Sequence, residues 1–148
     1  MPPRKKRIAV VFDTNILIAF YLSKKPKSAV SKIIRLWRNE RKLQLIVSGV
    51  MIDEYLEVLE RIGVGAKRIE KLNEIFERYG IVTKISLGRI PTESRDVDDN
   101  FVLATALAGK ADFLITNDKD LLDISDKGKK KFKFQIVTPL KFLSLIEE

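Results

Sequence analysis

Short apolar runs alternate with helix-like segments along the chain, and this alternation constrains the fold more than any other feature. Because strands separated by helices pair in parallel, with the connecting helices on the sheet faces, the sequence predicts an α/β fold: a mainly parallel sheet covered on both sides. No linker divides the 148 residues, so we expect one domain over 1–148. The predicted strands are 8–12, 43–47, 81–85, 113–116 and 134–137. The predicted helices are a turn at 15–22, then 29–40, 49–62, 66–79, 99–109 and 119–124, and a last helix opened by Thr138-Pro139, with Ser28, Ser48 and Thr138 as N-caps.

Two of the predicted strands end abruptly at acidic residues. The run 8–12 is followed by Asp13-Thr14-Asn15, and the run 113–116 is followed by Asn117-Asp118. Since the carboxyl ends of parallel strands meet at one edge of a sheet, where open α/β proteins build their sites, we expect Asp13 and Asp118 to meet there. Close carboxylates repel one another and are stable together mainly around a cation. The pattern therefore indicates a metal site.

The sequence contains no histidine and no cysteine. This absence excludes Ser-His-Asp triads, thiolate catalysis, disulfides and zinc sites built from Cys or His. Chemistry must then depend on carboxylates, Lys, Ser, Thr, Tyr or a metal held by oxygen atoms. Oxygen ligands select hard cations, so Mg²⁺ or Mn²⁺ is favoured over Zn²⁺.

The chain is basic, with a formal net charge of +8. A basic chain with acids concentrated in a few places suits a polyanionic partner that approaches a metal, although a solubilising surface explains the charge equally well. The basic N-terminus and the lysine-rich stretch 127–133 are candidate contacts to a nucleic-acid strand, with a solvated loop as the alternative. No apolar segment approaches the roughly 18–20 residues of a membrane span, and no signal peptide is recognised, so we expect a cytoplasmic protein without a membrane partner.

Each candidate acid also has a structural explanation when it is taken alone. Asp13 is suited to cap a helix that follows the first strand, and Glu54 lies near a predicted helix N-terminus, where the helix dipole favours an acid. The segment Arg95–Asn100 opens a predicted helix, but its three carboxylates and one Asn exceed what a single cap needs. An EF-hand does not fit there, because Phe101 and Leu107 occupy the positions that require Gly and Glu.

Three segments, taken together and in this order, carry a family resemblance: IAVVFDTNILIAF, LIVSGVMIDEYLEVLERIG and RDVDDNFVLATALAGKADFLITNDKDLL. On them, the chain resembles the PIN-domain family of metal-dependent nucleases, in particular its VapC-type toxin branch. The resemblance implies a three-layer α/β/α sandwich and an acidic cluster of Asp13, Glu54, Asp99 and Asp118 around one or two Mg²⁺ or Mn²⁺ ions. The third position lies among Asp98, Asp99 and Asn100, and Asp99 is preferred because the family's acid precedes the first apolar turn of the helix.

The same resemblance assigns supporting roles to the polar residues beside the acids, namely Thr14, Asn15, Ser48 and Thr116. Asp112 also matches, but it opens a strand and is expected to lie away from the site. The implied reaction is hydrolysis of phosphodiester bonds in single-stranded or looped RNA, by a homodimer that an antitoxin protein inhibits. Two alternatives remain: a haloacid-dehalogenase-like phosphatase, in which Asn15 occupies the place of a second Asp, and a non-catalytic RNA-binding or antitoxin-binding module whose acids are only caps.

Overall fold

The computed structural model describes residues 7–78, 80–87, 97–127 and 132–147, with the backbone alone for 97–99 and 125–127. Within these parts the chain forms five strands and seven helices. In chain order they are β1 (Ile8–Phe12), α1 (Thr14–Leu22), α2 (Ala29–Arg38), β2 (Leu43–Ser48), α3 (Gly49–Arg61), α4 (Ala66–Phe76), β3 (Val82–Ile85), α5 (Val97–Ala108), β4 (Phe113–Ile115), α6 (Lys119–Lys127), β5 (Gln135–Val137) and α7 (Pro139–Ile146).

The five strands form one sheet in the order β3-β2-β1-β4-β5, and every neighbouring pair is parallel. The predicted parallel sheet is therefore confirmed. The chain proceeds outward from β1 through β2 to β3, then returns to the other side of β1 for β4 and β5. The strand order reverses between β1 and β4, and this switch point is where open α/β sheets bind their ligands.

Helices cover both faces of the sheet, as the sequence predicts. On one face, Phe12 packs edge-to-face against Trp37 of α2, with ring centroids 5.7 Å apart. On the same face, Phe113 packs in this way against Phe142 of α7, at 5.2 Å. Because successive residues of a strand point to opposite faces, Ile46 lies on the other face, where it contacts the end of α5 at Gly109. The protein is thus an α/β/α sandwich.

The starts of three helices confirm the capping residues predicted from the sequence. Ser28 Oγ accepts from the backbone N–H of Ser31 at 3.1 Å, and Ser48 Oγ accepts from Met51 N–H at 3.4 Å. Thr138 Oγ1 accepts from Lys141 N–H at 3.2 Å, with proline in the first turn of α7. Each hydroxyl satisfies a helix N–H that lacks a partner within the helix.

The predicted turn at 15–22 is instead a complete helix, α1. Its sequence is apolar around most of its circumference, so it lacks the periodicity that marks an amphipathic helix. The structure explains this composition, because α1 packs between α2 and α3. Other boundaries differ by a few residues. The sequence also predicts a loop at 86–97, and most of it, like most of the lysine-rich stretch 127–133, lies outside the described residues.

None of the helices in the described parts of the chain combines the length and the apolar character needed to cross a bilayer.

Candidate functional site

Asp13 lies at the end of β1, at the switch point of the sheet, and is almost completely buried at 7% exposure. Its Oδ1 accepts from Thr14 N–H at 2.8 Å, and its Oδ2 accepts from Asn15 Nδ2 at 2.9 Å and from Thr116 Oγ1 at 2.6 Å. The first of these bonds is the helix cap of α1. The other two come from residues predicted to support a metal ligand. Asp13 therefore caps a helix and is also held in a polar network by side chains from two elements.

Glu54 lies on α3 and reaches the same place through Thr14. The Thr14 hydroxyl donates to Glu54 Oε2 at 2.9 Å, while the Thr14 backbone N–H donates to Asp13. Thr14 itself is buried, its bond to Asp13 is buried, and its bond to Glu54 is partly buried. One residue thus joins two carboxylates that are far apart in the sequence.

Asp118 follows β4, next to β1 in the sheet. Its backbone N–H donates to Thr116 Oγ1 at 2.9 Å, and that hydroxyl is the one that donates to Asp13. The loop is further tied to α1, because Asn117 N–H donates to Asn15 Oδ1 at 3.3 Å. The Asp118 carboxylate accepts from Asp120 N–H at 2.8 Å, which places it at the start of α6. Asp118 is therefore connected to Asp13 through one buried threonine.

For the third predicted acid, Asp99, the structure describes the backbone position but not the side chain. Helix α5 begins at Val97, so Asp98 and Asp99 lie in its first turn, and Asn100 beside them is buried. The side chains of Asp98 and Asp99 lie outside the described residues. Among the side chains that are described, no group of three or more acids is arranged to hold a metal ion. The four-residue cluster of Asp13, Glu54, Asp99 and Asp118 remains a prediction.

Ser48 connects two helices of the site. Its hydroxyl lies 2.8 Å from Thr105 Oγ1 on α5, and it caps α3. Because the Thr105 hydroxyl donates to Phe101 O at 2.8 Å, Ser48 is the donor of the shared bond. Ser48 thus fixes α3 against the helix that carries the predicted third acid. Thr105 was not predicted from the sequence, although it is a lone hydroxyl in the apolar stretch 101–108.

Tyr55 is a second residue of the site that was not predicted from the sequence. Its ring is completely buried, and its hydroxyl donates to the carbonyl of Phe12, the residue before Asp13. Burial raises the pKa of Tyr55 well above its usual value, and the negative charges of Asp13 and Glu54 raise it further. The phenol therefore stays neutral and keeps its donor. Because both negative charges act on this one hydroxyl, the electrostatic potential at this edge of the sheet is negative, as a cation site requires.

Asp112 lies at the opposite end of the strands, as predicted. Its carboxylate accepts from Ala9 N–H at 2.9 Å, and its own N–H donates to Ala9 O at 2.8 Å. Ala9 is near the start of β1, whereas Asp13 follows its end. Asp112 therefore joins β4 to β1 away from the candidate site.

The fold and site together define an open α/β sandwich with acidic side chains at its switch point. The model of the PIN domain matches residues 9–120, and the chain therefore belongs to the PIN-domain family. The matched range includes all four acids of the predicted cluster. No curated protein matches the sequence at a significant level.

A solved structure shares the fold. One chain of the crystal structure of VapBC2 from Rickettsia felis, bound to a DNA fragment from their promoter, superposes with a TM-score of 0.52 and 15% sequence identity. The similarity covers 88% of this chain and 98% of that chain. At this identity it concerns the fold alone, and it agrees with the α/β/α sandwich described above.

Proposed function

We propose that this protein is a metal-dependent ribonuclease that hydrolyses RNA phosphodiester bonds, and that it is the toxin of a toxin–antitoxin pair. The observation that carries the proposal is the pair of carboxylates, Asp13 and Glu54, joined by Thr14 at the switch point of a PIN-domain sheet. Asp118 belongs to the same network through Thr116. Asp99 completes the proposed set from the first turn of α5.

The donor set fits a hard divalent cation. Only oxygen ligands are available, since the chain has no His or Cys, and carboxylate oxygens suit Mg²⁺ or Mn²⁺. Asp13 and Asp99 are assigned as direct ligands, and Glu54 and Asp118 as ligands that bind directly or through water. A bound cation of this kind would lower the pKa of water and would neutralise negative charge on the scissile phosphate.

The remaining residues position these carboxylates before any metal binds. Thr116 and Asn15 hold one oxygen of Asp13, Thr14 holds Glu54, and Thr116 also fixes the backbone of Asp118. Such partners set the orientation of a ligand, and their loss commonly lowers metal affinity or activity about 10- to 100-fold. The substrate is expected to be single-stranded or looped RNA, because its phosphates are accessible, and the net charge of +8 favours its approach.

The proposed partners are an antitoxin protein and a second copy of the chain. The fold is similar to that of a chain in the VapBC2 structure, which supports the first of these. Co-expression with the product of the neighbouring gene and light scattering of the purified protein test the two partners separately.

The alternatives receive less support. In a haloacid-dehalogenase-like phosphatase the residue two after the first Asp is a second Asp that exchanges protons. Asn15 has no ionisable proton, and its amide is used in bonds to Asp13 and to Asn117 N–H. A non-catalytic module remains distinguishable by Mn²⁺ titration calorimetry, because it predicts no metal binding.

The proposal is tested by Asp13→Asn, with Asp112→Asn as the matched control that changes the same functional group at the other end of the sheet. With labelled single-stranded RNA and Mn²⁺, wild type and Asp112→Asn are expected to cleave, and Asp13→Asn is expected to show only the background of EDTA-treated protein. We expect EDTA to abolish cleavage and added Mn²⁺ to restore it. Full activity of Asp13→Asn in nuclease-free preparations, or cleavage that persists in EDTA, contradicts the proposal.

A further inference from the structure

A second concave site, here called the basic pocket, lies at the end of α1 opposite Asp13. It has a volume of about 330 Å³ and is formed by the loop between α1 and α2, one side of α2, and the start of α4. None of its described lining residues is acidic. Five of them are cationic: Lys24, Lys25, Arg35, Arg38 and Arg68.

The positive charge of the basic pocket is not neutralised within the described part of the chain. The salt bridges found there are Lys42–Glu40 and Lys84–Glu77, and neither involves a residue of the pocket. Five like charges around one cavity repel one another, and this repulsion is relieved when an anion binds between them. The pocket therefore has the electrostatics of an anion site.

The loop that forms one wall is held in a defined conformation by side chains. Ser23 Oγ accepts from Lys25 N–H at 3.0 Å, and Ser31 Oγ of α2 donates to Lys25 O at 3.1 Å. Arg35 Nη1 donates to Pro26 O at 2.6 Å. The backbone that carries Lys24 and Lys25 is thus fixed to α2, which lowers the entropic cost of binding a ligand there.

Two guanidinium groups on different helices are brought together beside Tyr21. Arg68 of α4 lies over the Tyr21 ring, with its guanidinium carbon 4.6 Å from the centroid. Burial raises the pKa of Tyr21, whereas the charges of Arg38 and Arg68 act in the opposite direction. Both arginines also line the basic pocket. Planar guanidinium groups bind phosphate with two parallel hydrogen bonds, so a converging pair of arginines suits a phosphate better than a surface of lysines does.

We propose that the basic pocket binds a phosphate group from the backbone of the RNA strand whose scissile bond lies at Asp13, and this rests on the proposed function. The nine residues of α1 connect the two sites and rise about 13.5 Å along the helix axis. At about 3.4 Å per nucleotide of a stacked strand, this distance corresponds to about four nucleotides. A contact to phosphate adds affinity and sets register without reading a base.

The test compares Arg38→Gln/Arg68→Gln with Lys32→Gln/Lys71→Gln. The control removes the same charge from exposed positions of the same two helices, α2 and α4, outside the pocket. Binding of a labelled single-stranded RNA of about 12 nucleotides, a length within the usual range of site sizes, is measured by fluorescence anisotropy in EDTA. Equal thermal unfolding midpoints show that all proteins are folded.

The pocket variant is expected to bind RNA about 10-fold more weakly, because a hydrogen bond to a charged group contributes a factor of this size. The slope of log affinity against log salt becomes shallower by about 0.7, the value for the one phosphate that the variant no longer neutralises. The control is expected to bind nearly as wild type does.

Equally weakened binding in both variants would mean that RNA responds to the overall positive charge and not to the basic pocket, and it overturns the proposal. Unchanged binding in both variants overturns it as well. RNA shorter than about four nucleotides should show no difference between pocket variant and control.

Calorimetric titration with inorganic phosphate separates a strand from a free anion. Saturable phosphate binding that the pocket variant loses, while it binds RNA normally, overturns the assignment to an RNA strand. Because anisotropy is measured without metal, the result does not depend on cleavage. Pocket-dependent RNA binding by a protein that fails to cleave with Mn²⁺ contradicts the nuclease proposal alone. Pocket-independent binding by a protein that cleaves contradicts this inference alone.

Discussion

The hydroxyl of Thr14 donates a hydrogen bond to Glu54 Oε2 at 2.9 Å, across 40 positions of sequence. Thr14 is the first residue of α1 and Glu54 lies in the second turn of α3, so this bond ties α3 to the start of α1. The backbone N–H of Thr14 holds Asp13 at the same time. One buried residue therefore links Glu54 to Asp13.

Thr14→Val tests this link. Valine has nearly the same shape, but it lacks the hydroxyl that orients Glu54, so we expect RNA cleavage with Mn²⁺ to fall about 10- to 100-fold, the usual effect of losing a partner of a metal ligand. Thr14→Ser keeps the hydroxyl and should retain most of the activity. Rates are measured over a range of Mn²⁺ concentrations, and a Val variant as active as wild type would show that the bond is dispensable.

Thr116→Val is expected to affect both stability and metal binding. The Thr116 hydroxyl is completely buried, donates to Asp13 and accepts from Asp118 N–H. Its removal deprives the buried Asp13 carboxylate of one hydrogen-bond donor and the Asp118 N–H of its acceptor, at a cost of about 1–3 kcal/mol. Urea unfolding in EDTA measures this loss without a metal contribution, and calorimetry measures the weaker Mn²⁺ binding. Thr116→Ser should restore both, and identical Ser and Val variants would contradict the role of the hydroxyl.

Tyr55→Phe should destabilise the protein in a way that depends on pH. At pH 7 the loss of the bond to the buried Phe12 carbonyl is expected to cost about 1–3 kcal/mol. The pKa of Tyr55 is raised above its ordinary value of 10.0 in the folded protein, so its neutral form stabilises the fold fully below about pH 10. Above that pH, Tyr55 ionises in the unfolded chain before it does in the folded protein. Its contribution to the free energy of unfolding then declines by up to about 1.4 kcal/mol per pH unit.

The difference in unfolding free energy between wild type and Tyr55→Phe should therefore narrow as the pH rises above about 10. Urea titrations of both proteins from neutral to alkaline pH measure it. A difference that stays constant across this interval would mean that Tyr55 ionises equally in the folded and unfolded chains.

Gly109→Ala tests the contact between α5 and the sheet. A Cβ at Gly109 would lie 2.2 Å from Ile46 Cγ2 and 3.2 Å from Thr105 O, so the helix or the Ile46 side chain must shift. We expect a loss of about 1–3 kcal/mol, as is usual when a core is overpacked. Gly49→Ala is the matched control, because nothing lies within 4 Å of its Cβ. Equal unfolding free energies for the two variants would refute the predicted clash.

Much of the fold follows from local patterns in the sequence. Runs of β-branched and aromatic residues identify all five strands, and the hydroxyl caps at Ser28, Ser48 and Thr138 identify three helix starts. Helix α1 was predicted only as a turn, because two neighbouring helices cover it and remove its polar face. A local sequence pattern identifies a helix that is buried on one face, because polar and apolar residues then alternate periodically. It does not identify a helix that is covered on several faces, because that periodicity is absent.

The candidate site could be predicted only in part. Asp13 and Asp118 are recognisable because Asp13 directly follows β1 and Asp118 lies shortly after β4. The roles of Tyr55 and Thr105 were missed because their partners, Phe12 O and Ser48 Oγ, lie 43 and 57 positions away. Ser48 is predicted to support the acids, and its described bonds join the two helices that carry Glu54 and Asp99. Contacts between residues so far apart in the sequence do not change the hydrophobic periodicity of the two segments that they join.

The sequence by itself determined the class of fold, and it restricted the predicted metal ligands to oxygen atoms. Alternating strands and helices require a covered parallel sheet, and a chain without His or Cys has only oxygen atoms to offer a metal. Only the tertiary structure decided that Thr14 joins Asp13 to Glu54, that Thr116 joins Asp13 to Asp118, and that cations from three segments line one pocket. The physical reason is that periodicity and composition are local properties, whereas these contacts depend on strand order and helix packing, which the whole chain sets together.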